Sequence, residues 1–352
     1  VVADVLEVAL FEDPQAEALQ VWVSRNVDRA RHRVPFSDPA LIRAEEFVRK
    51  VEDTILGNAR PQPDEILALG RGLFGVLFRD DALRMYHLLP NGHHATLAIV
   101  SSDARILNLP WEYLCDPAHP LGPDITRPVV RVIPTVSHAK LPARGDAPVR
   151  VLFVAAEPLD DSSEATDWQG QVDALRNDFE AFAPGDVQLE IVRAATRKML
   201  IDALNKGHWD VVHFAGHGKD GHLVLETDDR KPDGIKANDF ALALLGRGIR
   251  LVVLTACRSG AGAFEKDFSV VSTSLVKTGI PAVIAMQYSM PVRTATEYVG
   301  TFYRQLLKDA AGLDTAVAEG RVALAITIGT EDVQWGIPVL YRALDAQNPF
   351  AG

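Results

Sequence analysis

Cysteine is scarce in this chain. Only Cys115 and Cys257 occur in 352 residues, too few to staple a fold together. Such thiol use belongs to a reducing compartment, with the cytosol as default. Positive charge is also short: 36 Lys and Arg against 47 Asp and Glu leave a formal net charge of −11. No basic face is evident, which argues against a nucleic-acid partner held through its phosphates. No apolar run approaches the length that crosses a bilayer and no secretory leader pattern opens the chain, so no membrane partner is expected. Internal repeats and low-complexity tracts are missing too, so no solenoid receptor is present. The first residue is Val1 rather than methionine, as expected of a piece cut from a longer protein.

Nucleotide and metal signatures are equally lacking. The run Gly216-His217-Gly218-Lys219-Asp220-Gly221 fits neither the G-x-x-x-x-G-K-[ST] nor the G-x-G-x-x-G spacing. His213, His217, His222 and Cys257 are a weak metal set, because four-residue spacing on a strand running into a turn does not gather ligands on one face. Asp228, Asp229 and Asp233 read as a solvated loop. No cofactor and no metal are expected.

What remains is an ordinary globular composition, 47% hydrophobic and 24% charged, long enough for two cores. Residues 1–145 read as a smaller α/β domain. Val5–Leu10, Leu19–Val23, Leu83–Leu89, Ala95–Val100 and Val129–Ile133 have strand character, and Asn26 to Arg33 reads as a polar stretch. Asp38-Pro39-Ala40 is a helix start, a second helix begins near Asp64, and Pro90-Asn91-Gly92 is a turn. Residues 138–146 read as a linker. Trp111 and Leu114 are too apolar to be left exposed together, so this domain is expected to pack as one rigid unit with the C-terminal domain.

From Val149 the pattern alternates strand and helix through residue 326, predicting βαβ units and a mostly parallel sheet flanked by helices over 146–352. Two of its strands end in reactive side chains. Val211-Val212-His213-Phe214-Ala215 runs into Gly216-His217-Gly218, and Leu251-Val252-Val253-Leu254-Thr255 runs into Ala256-Cys257-Arg258-Ser259-Gly260. Open α/β sheets place their ligands at the carboxyl ends of their strands. A histidine and a cysteine delivered there supply a base and a sulfur nucleophile. Arg258 and the backbone N–H groups around it favour the thiolate of Cys257. Gly216 and Gly218 are expected to adopt backbone conformations closed to other residues and to leave room for a substrate carbonyl. His213, in mid-strand, reads as a hydrogen-bonded core histidine, and Cys115 as structural.

His-Phe-Ala-Gly-His217-Gly followed by Leu-Thr-Ala-Cys257-Arg-Ser-Gly, with the cysteine 40 positions after the histidine, resembles the caspase-related cysteine peptidases. Among these the chain is most similar to the CHAT domain, over roughly residues 150–342. Ala282–Met286, Phe302–Leu307 and Trp335–Leu340 agree with that likeness, and Leu109-Pro110-Trp111-Glu112 resembles a segment found upstream of such domains. The resemblance implies a caspase-like fold, a Cys257–His217 dyad, and an oxyanion hole made by the backbone N–H groups of Gly218 and Cys257. It also implies a protein substrate and an activating sensor or partner protein, in a bacterial defence or signalling setting. Residues 1–145 would then be a regulatory or pseudo-caspase-like domain. Gln287-Tyr288-Ser289-Met290-Pro291-Val292-Arg293 departs from the family pattern, which favours a Trp and an acidic residue there. That departure motivates an alternative, a catalytically silent scaffold or interaction module.

The substrate residue before the cut is expected to be basic, or uncharged as second choice, rather than aspartate. Asp167, with Asp161 beside it in an acidic stretch, falls where caspases place an arginine. Thr255, two residues before the cysteine, and Gln287 complete the expected substrate-binding set.

Overall fold

The computed structural model describes residues 4–55, 61–89, 94–135, 141, 145, 147–159, 168–182, 185–219, 221–255, 266–288, 290–308, 311–344, 346 and 349–350. Two compact units divide the chain: Val1–Pro134 with Val317–Val339, and Thr135–Ala316 with Leu340–Gly352.

In the first unit, β1 (Asp4–Asp13), β2 (Ala18–Arg25) and β3 (Asp28–Pro35) form an antiparallel meander. Three helices come next, α1 (Pro39–Ile55), α2 (Pro63–Leu77) and α3 (Asp80–His87). Strand β4 (Ala95–Val100), the short α4 (Ala104–Leu107) and β5 (Val129–Ile133) complete the run, and the strand order is β3-β2-β1-β4-β5. Strands β1, β4 and β5 run parallel.

Two local expectations are corrected here. The polar stretch at 26–33 is mostly the edge strand β3: its arginines at 29, 31 and 33 face solvent while Val34 is buried, so one face of the strand needs no apolar residue. The apolar run at 83–89 is mostly helix α3, not a strand, because Ala82, Met85 and Tyr86 fall at helical spacing and are all buried. The helix start at Asp38 is as expected, its carboxylate accepting from the Ala40 N–H at 2.9 Å.

Trp111 and Leu114 are fully buried, the indole donating to the Ile106 carbonyl at 2.8 Å. The segment that carries them is a 3₁₀ turn, Trp111–Tyr113, fastened by Glu112. That carboxylate, 0% exposed, binds Arg131 through Nε at 3.1 Å and through a second, shorter contact at Nη2. Arg321 lies 3.8 Å away. The carbonyls of Leu107, Val129 and Pro338 take further donors of the two guanidiniums. Cys115 is a buried free thiol, its pKa raised by burial. The Pro90–Gly92 turn and most of the 138–146 linker lie outside the described residues.

The second unit alternates as predicted. Its elements are β6 (Val149–Ala155), α5 (Trp168–Phe182), β7 (Val187–Val192), α6 (Arg197–Asn205) and β8 (Val211–Ala215). A small three-stranded sheet comes next, β9 (His217–Lys219), β10 (His222–Glu226) and β11 (Pro232–Lys236), and then α7 (Ala237–Leu244), β12 (Leu251–Thr255), α8 (Lys266–Thr278), β13 (Ala282–Met286) and α9 (Val292–Tyr303). Helix α10 (Leu313–Ile328) and strand β14 (Pro338–Ala343) each span the boundary between the units.

The parallel strands of the second unit lie in the order β13-β12-β8-β6-β7. Strands β8, β12 and β13 are buried along their whole length, which is why each reads as an unbroken apolar run rather than an alternation. Helix α5 packs on α9, and α7 on α8. The fold is thus mixed α/β, a mostly parallel sheet flanked by helices. Among the described residues no helix is long and apolar enough to cross a membrane.

Candidate active site

The register between β8 and β12 builds the site. Val253 pairs with His213, Leu254 with Phe214 and Thr255 with Ala215, so the two strands end level. Their ends are tied by the Gly216 N–H donating to the Thr255 carbonyl at 3.2 Å. Strand β6 joins at the same height, the Ala156 N–H donating to the Ala215 carbonyl at 3.0 Å. His217 then opens β9, opposite Val224 of β10, with Gly218 opposite Leu223. His217 is half-buried and Gly218 buried.

Gly216 is needed here for a reason other than the expected one. Its φ is not in the left-handed region. Space decides instead: a Cβ would stand 2.7 Å from the Phe214 ring and 3.0 Å from the Ala156 carbonyl oxygen. The chain can turn from β8 to β9 only where no side chain intervenes.

Thr255 is fully enclosed. Its hydroxyl lies 3.1 Å from His213 Nε2, and His213 Nδ1 lies 3.2 Å from the Tyr303 hydroxyl at the end of α9. The imidazole packs against the Phe153 ring at 4.6 Å between centroids. Burial away from water drives its pKa down to about 3, so it is neutral. With both ring nitrogens engaged inside the core, His213 is a core residue and offers no nitrogen to a metal. Among the described residues no cluster of His, Cys, Asp and Glu has metal-binding geometry. Gln287, just past β13, is 6% exposed. Cys257, Asp161 and Asp167 lie outside the described residues. The structure therefore brings together His217, Gly218 and Thr255 of the expected set.

Sequence reading missed a cavity of about 240 Å³ at the carboxyl ends of β6 and β7, lined by Ala155, Glu157, Val172, Arg193, Glu226 and Arg230 among others. Glu226, two residues beyond the partner of His217, is 1% exposed. It accepts from the Glu157 N–H at 2.6 Å and from Arg230 Nε at 3.0 Å. Arg230 in turn donates to the Glu157 carbonyl at 2.8 Å. This clamp fixes the backbone where it leaves β6 for the acidic stretch. Glu157 is about seventy residues from the local Glu226–Arg230 pair, and the only hint was a glutamate ending an otherwise apolar strand.

Level strand ends beneath a histidine, in a mostly parallel sheet flanked by helices, define a caspase-like α/β protein. The chain belongs to the CHAT domain family, whose model matches residues 67–337. The match begins well upstream of residue 150 and takes in the 109–115 segment. The Saccharomyces cerevisiae separase–securin complex solved at 2.6 Å resembles the fold with a TM-score of 0.55 and 10% identity, covering 97% of this chain and 30% of that one. The same complex at 3.0 Å gives 0.52 and 12%, with 97% and 30% covered. The complex of the pro- and mature domains of Porphyromonas gingivalis RgpB gives 0.45 and 11%, covering 85% and 76%. This chain thus spans about 30% of the length of the separase chain it resembles. No curated protein matches the sequence.

Proposed function

We propose that the chain is a cysteine endopeptidase that cleaves a partner protein through Cys257 and His217. The observation that supports this most is the level ending of β8 and β12. His217 follows Ala215 by two residues, Cys257 follows Thr255 by two, and Ala215 and Thr255 are register partners. In this reading the Cys257 thiolate adds to the peptide carbonyl and the N–H groups of Gly218 and Cys257 receive the oxyanion. The protonated His217 gives its proton to the departing amine. Water, deprotonated by His217, then hydrolyses the thioester and returns the thiol. No cofactor or metal enters the scheme.

Asp161 and Asp167 would favour a basic residue before the cut and oppose aspartate, and Gln287 would line the same region. Thr255, whose hydroxyl faces His213, would serve the site through its strand rather than by touching substrate. Residues 1–145 would act as a regulatory, pseudo-caspase-like domain to a peptidase domain at 146–352. Membership of the CHAT family favours activation by a sensor or partner protein, in a bacterial defence or signalling system and in a reducing compartment such as the cytosol.

The test is proteomic mapping of cleavage sites with wild type, Cys257→Ala and His217→Ala. Both variants should abolish cleavage while holding stability within about 1 kcal/mol of wild type. Identical cleavage maps, with an alkylation-resistant Cys257, would favour the silent scaffold instead, as the unusual 287–293 segment would allow.

A further inference from the structure

We propose that Tyr303, His213 and Thr255 form a one-directional hydrogen-bond relay that holds the end of β12 in register with the end of β8. They would be positioning residues for the dyad, and the inference rests on the reading of Cys257 and His217 given above. All three side chains are 0% exposed, so bulk water does not reach them. Each proton can then be assigned. The Phe214 carbonyl can only accept, and it lies 3.4 Å from the Thr255 hydroxyl. If Thr255 gives its proton there, its oxygen accepts from His213 Nε2–H. The neutral ring then presents a bare Nδ1, which accepts from the Tyr303 hydroxyl.

The opposite direction fails. Thr255 would donate to Nε2 and Nδ1–H to the Tyr303 oxygen, leaving the phenol proton without an acceptor among the described residues. Leaving a buried donor unmade is the costly alternative. One tautomer is therefore selected, with hydrogen on Nε2.

The relay has consequences because of where its ends lie. Phe214 stands three residues before His217 and Thr255 two before Cys257, so the hydroxyl joins the two strands shortly before the reactive residues along the chain. It adds to the parallel ladder that pairs Leu251–Thr255 with Val211–Ala215 and to the Gly216–Thr255 backbone bond at the end of that ladder. Tyr303 brings in α9, where the helix passes into a π-helical turn at Arg304–Lys308, and its ring is held edge-on by Phe179 of α5 at 5.2 Å. Helix α9 thereby reaches the middle of β8 and, through His213, the Thr255 hydroxyl at the end of β12.

The test uses the full chain with Thr255→Val, Tyr303→Phe and the double variant, each keeping shape while removing a hydroxyl. Imidazole nitrogen shifts in labelled wild type should report the neutral Nε2–H tautomer, and this readout needs no turnover. Each single variant should lower kcat about 10- to 100-fold with KM unchanged, the scale of a small misplacement of reacting groups. Each should also move the pH profile of Cys257 alkylation, read on its own peptide by mass spectrometry. The double variant should be no worse than the poorer single one, since either break interrupts the same relay. An Nδ1–H tautomer overturns the proposal. So do variants with normal kcat and an unmoved alkylation profile that merely melt earlier. If wild type and Cys257→Ala prove equally silent, the peptidase reading falls by itself. The relay is then decided by tautomer and alkylation profile, an unmoved profile overturning it.

Discussion

The 109–115 turn of the first unit and the ends of β8 and β12 in the second bury polar groups in opposite ways, although the second unit also buries ion pairs elsewhere, Arg342 with Asp314 and Arg250 with Asp210. In the first, Glu112 faces Arg131 and Arg321 with every charge out of water, and carbonyl oxygens take further guanidinium donors. In the second, the enclosed groups beneath the strand ends are His213, Thr255 and Tyr303, all neutral. The difference is one of tolerance. A buried charge needs its partner under all conditions, because the survivor of a broken pair is stranded in a low dielectric. A neutral relay costs little until a proton is added or a hydroxyl removed. The charged network suits a segment that must stay fixed, the 109–115 turn. The neutral one suits strand ends beside His217, the residue proposed as general acid and base.

The sharpest way to break this comparison is Glu112→Gln, which should destabilise the full chain by about 3–5 kcal/mol in urea unfolding. A loss below 1 kcal/mol would mean the arginines are held by backbone carbonyls alone. Next is Gly216→Ala. The added methyl meets the Phe214 ring at 2.7 Å and the Ala156 carbonyl at 3.0 Å, so something must move. We expect about 1–3 kcal/mol of overpacking strain and at least a tenfold loss of cleavage, because the moved segment leads into His217. Wild-type cleavage in that variant would show that the turn is roomier than its contacts imply.

Acid separates the two networks. His213 has a folded pKa of about 3 against an ordinary value of 6.5, so the unfolded chain takes up the proton first. Its contribution to pH dependence is nil above about pH 6.5, and stability falls by about 1.4 kcal/mol per unit as the pH drops towards 3. The difference between wild type and His213→Gln, measured by chemical denaturation from pH 7 to 4, should carry that slope. Parallel curves would place water beside the imidazole. The smallest effect is expected at the surface, where Arg197 and Asp233 pair at 2.7 Å with side chains 49% and 29% exposed. Arg197→Ala should cost less than about 1 kcal/mol and lose even that in high salt.

The sequence by itself determined the alternating strands and helices of the second unit, because strands covered on both faces must be apolar throughout and helices must keep one stripe. It also determined that β8 runs into His217 and that β12 closes on Thr255. Edge strand β3 and helix α3 escaped it. An edge strand needs only one dry face, and a short helix with three buried positions resembles an apolar run. Tertiary structure alone decided why Gly216 must be glycine, since Phe214 and Ala156 approach from two strands. It alone joined Glu157 to Glu226 and Arg230, and Tyr303 to His213 across ninety residues of chain. Those pairings depend on which strand lies beside which. That order is set by packing over the whole sheet and leaves no mark in the local pattern of residues.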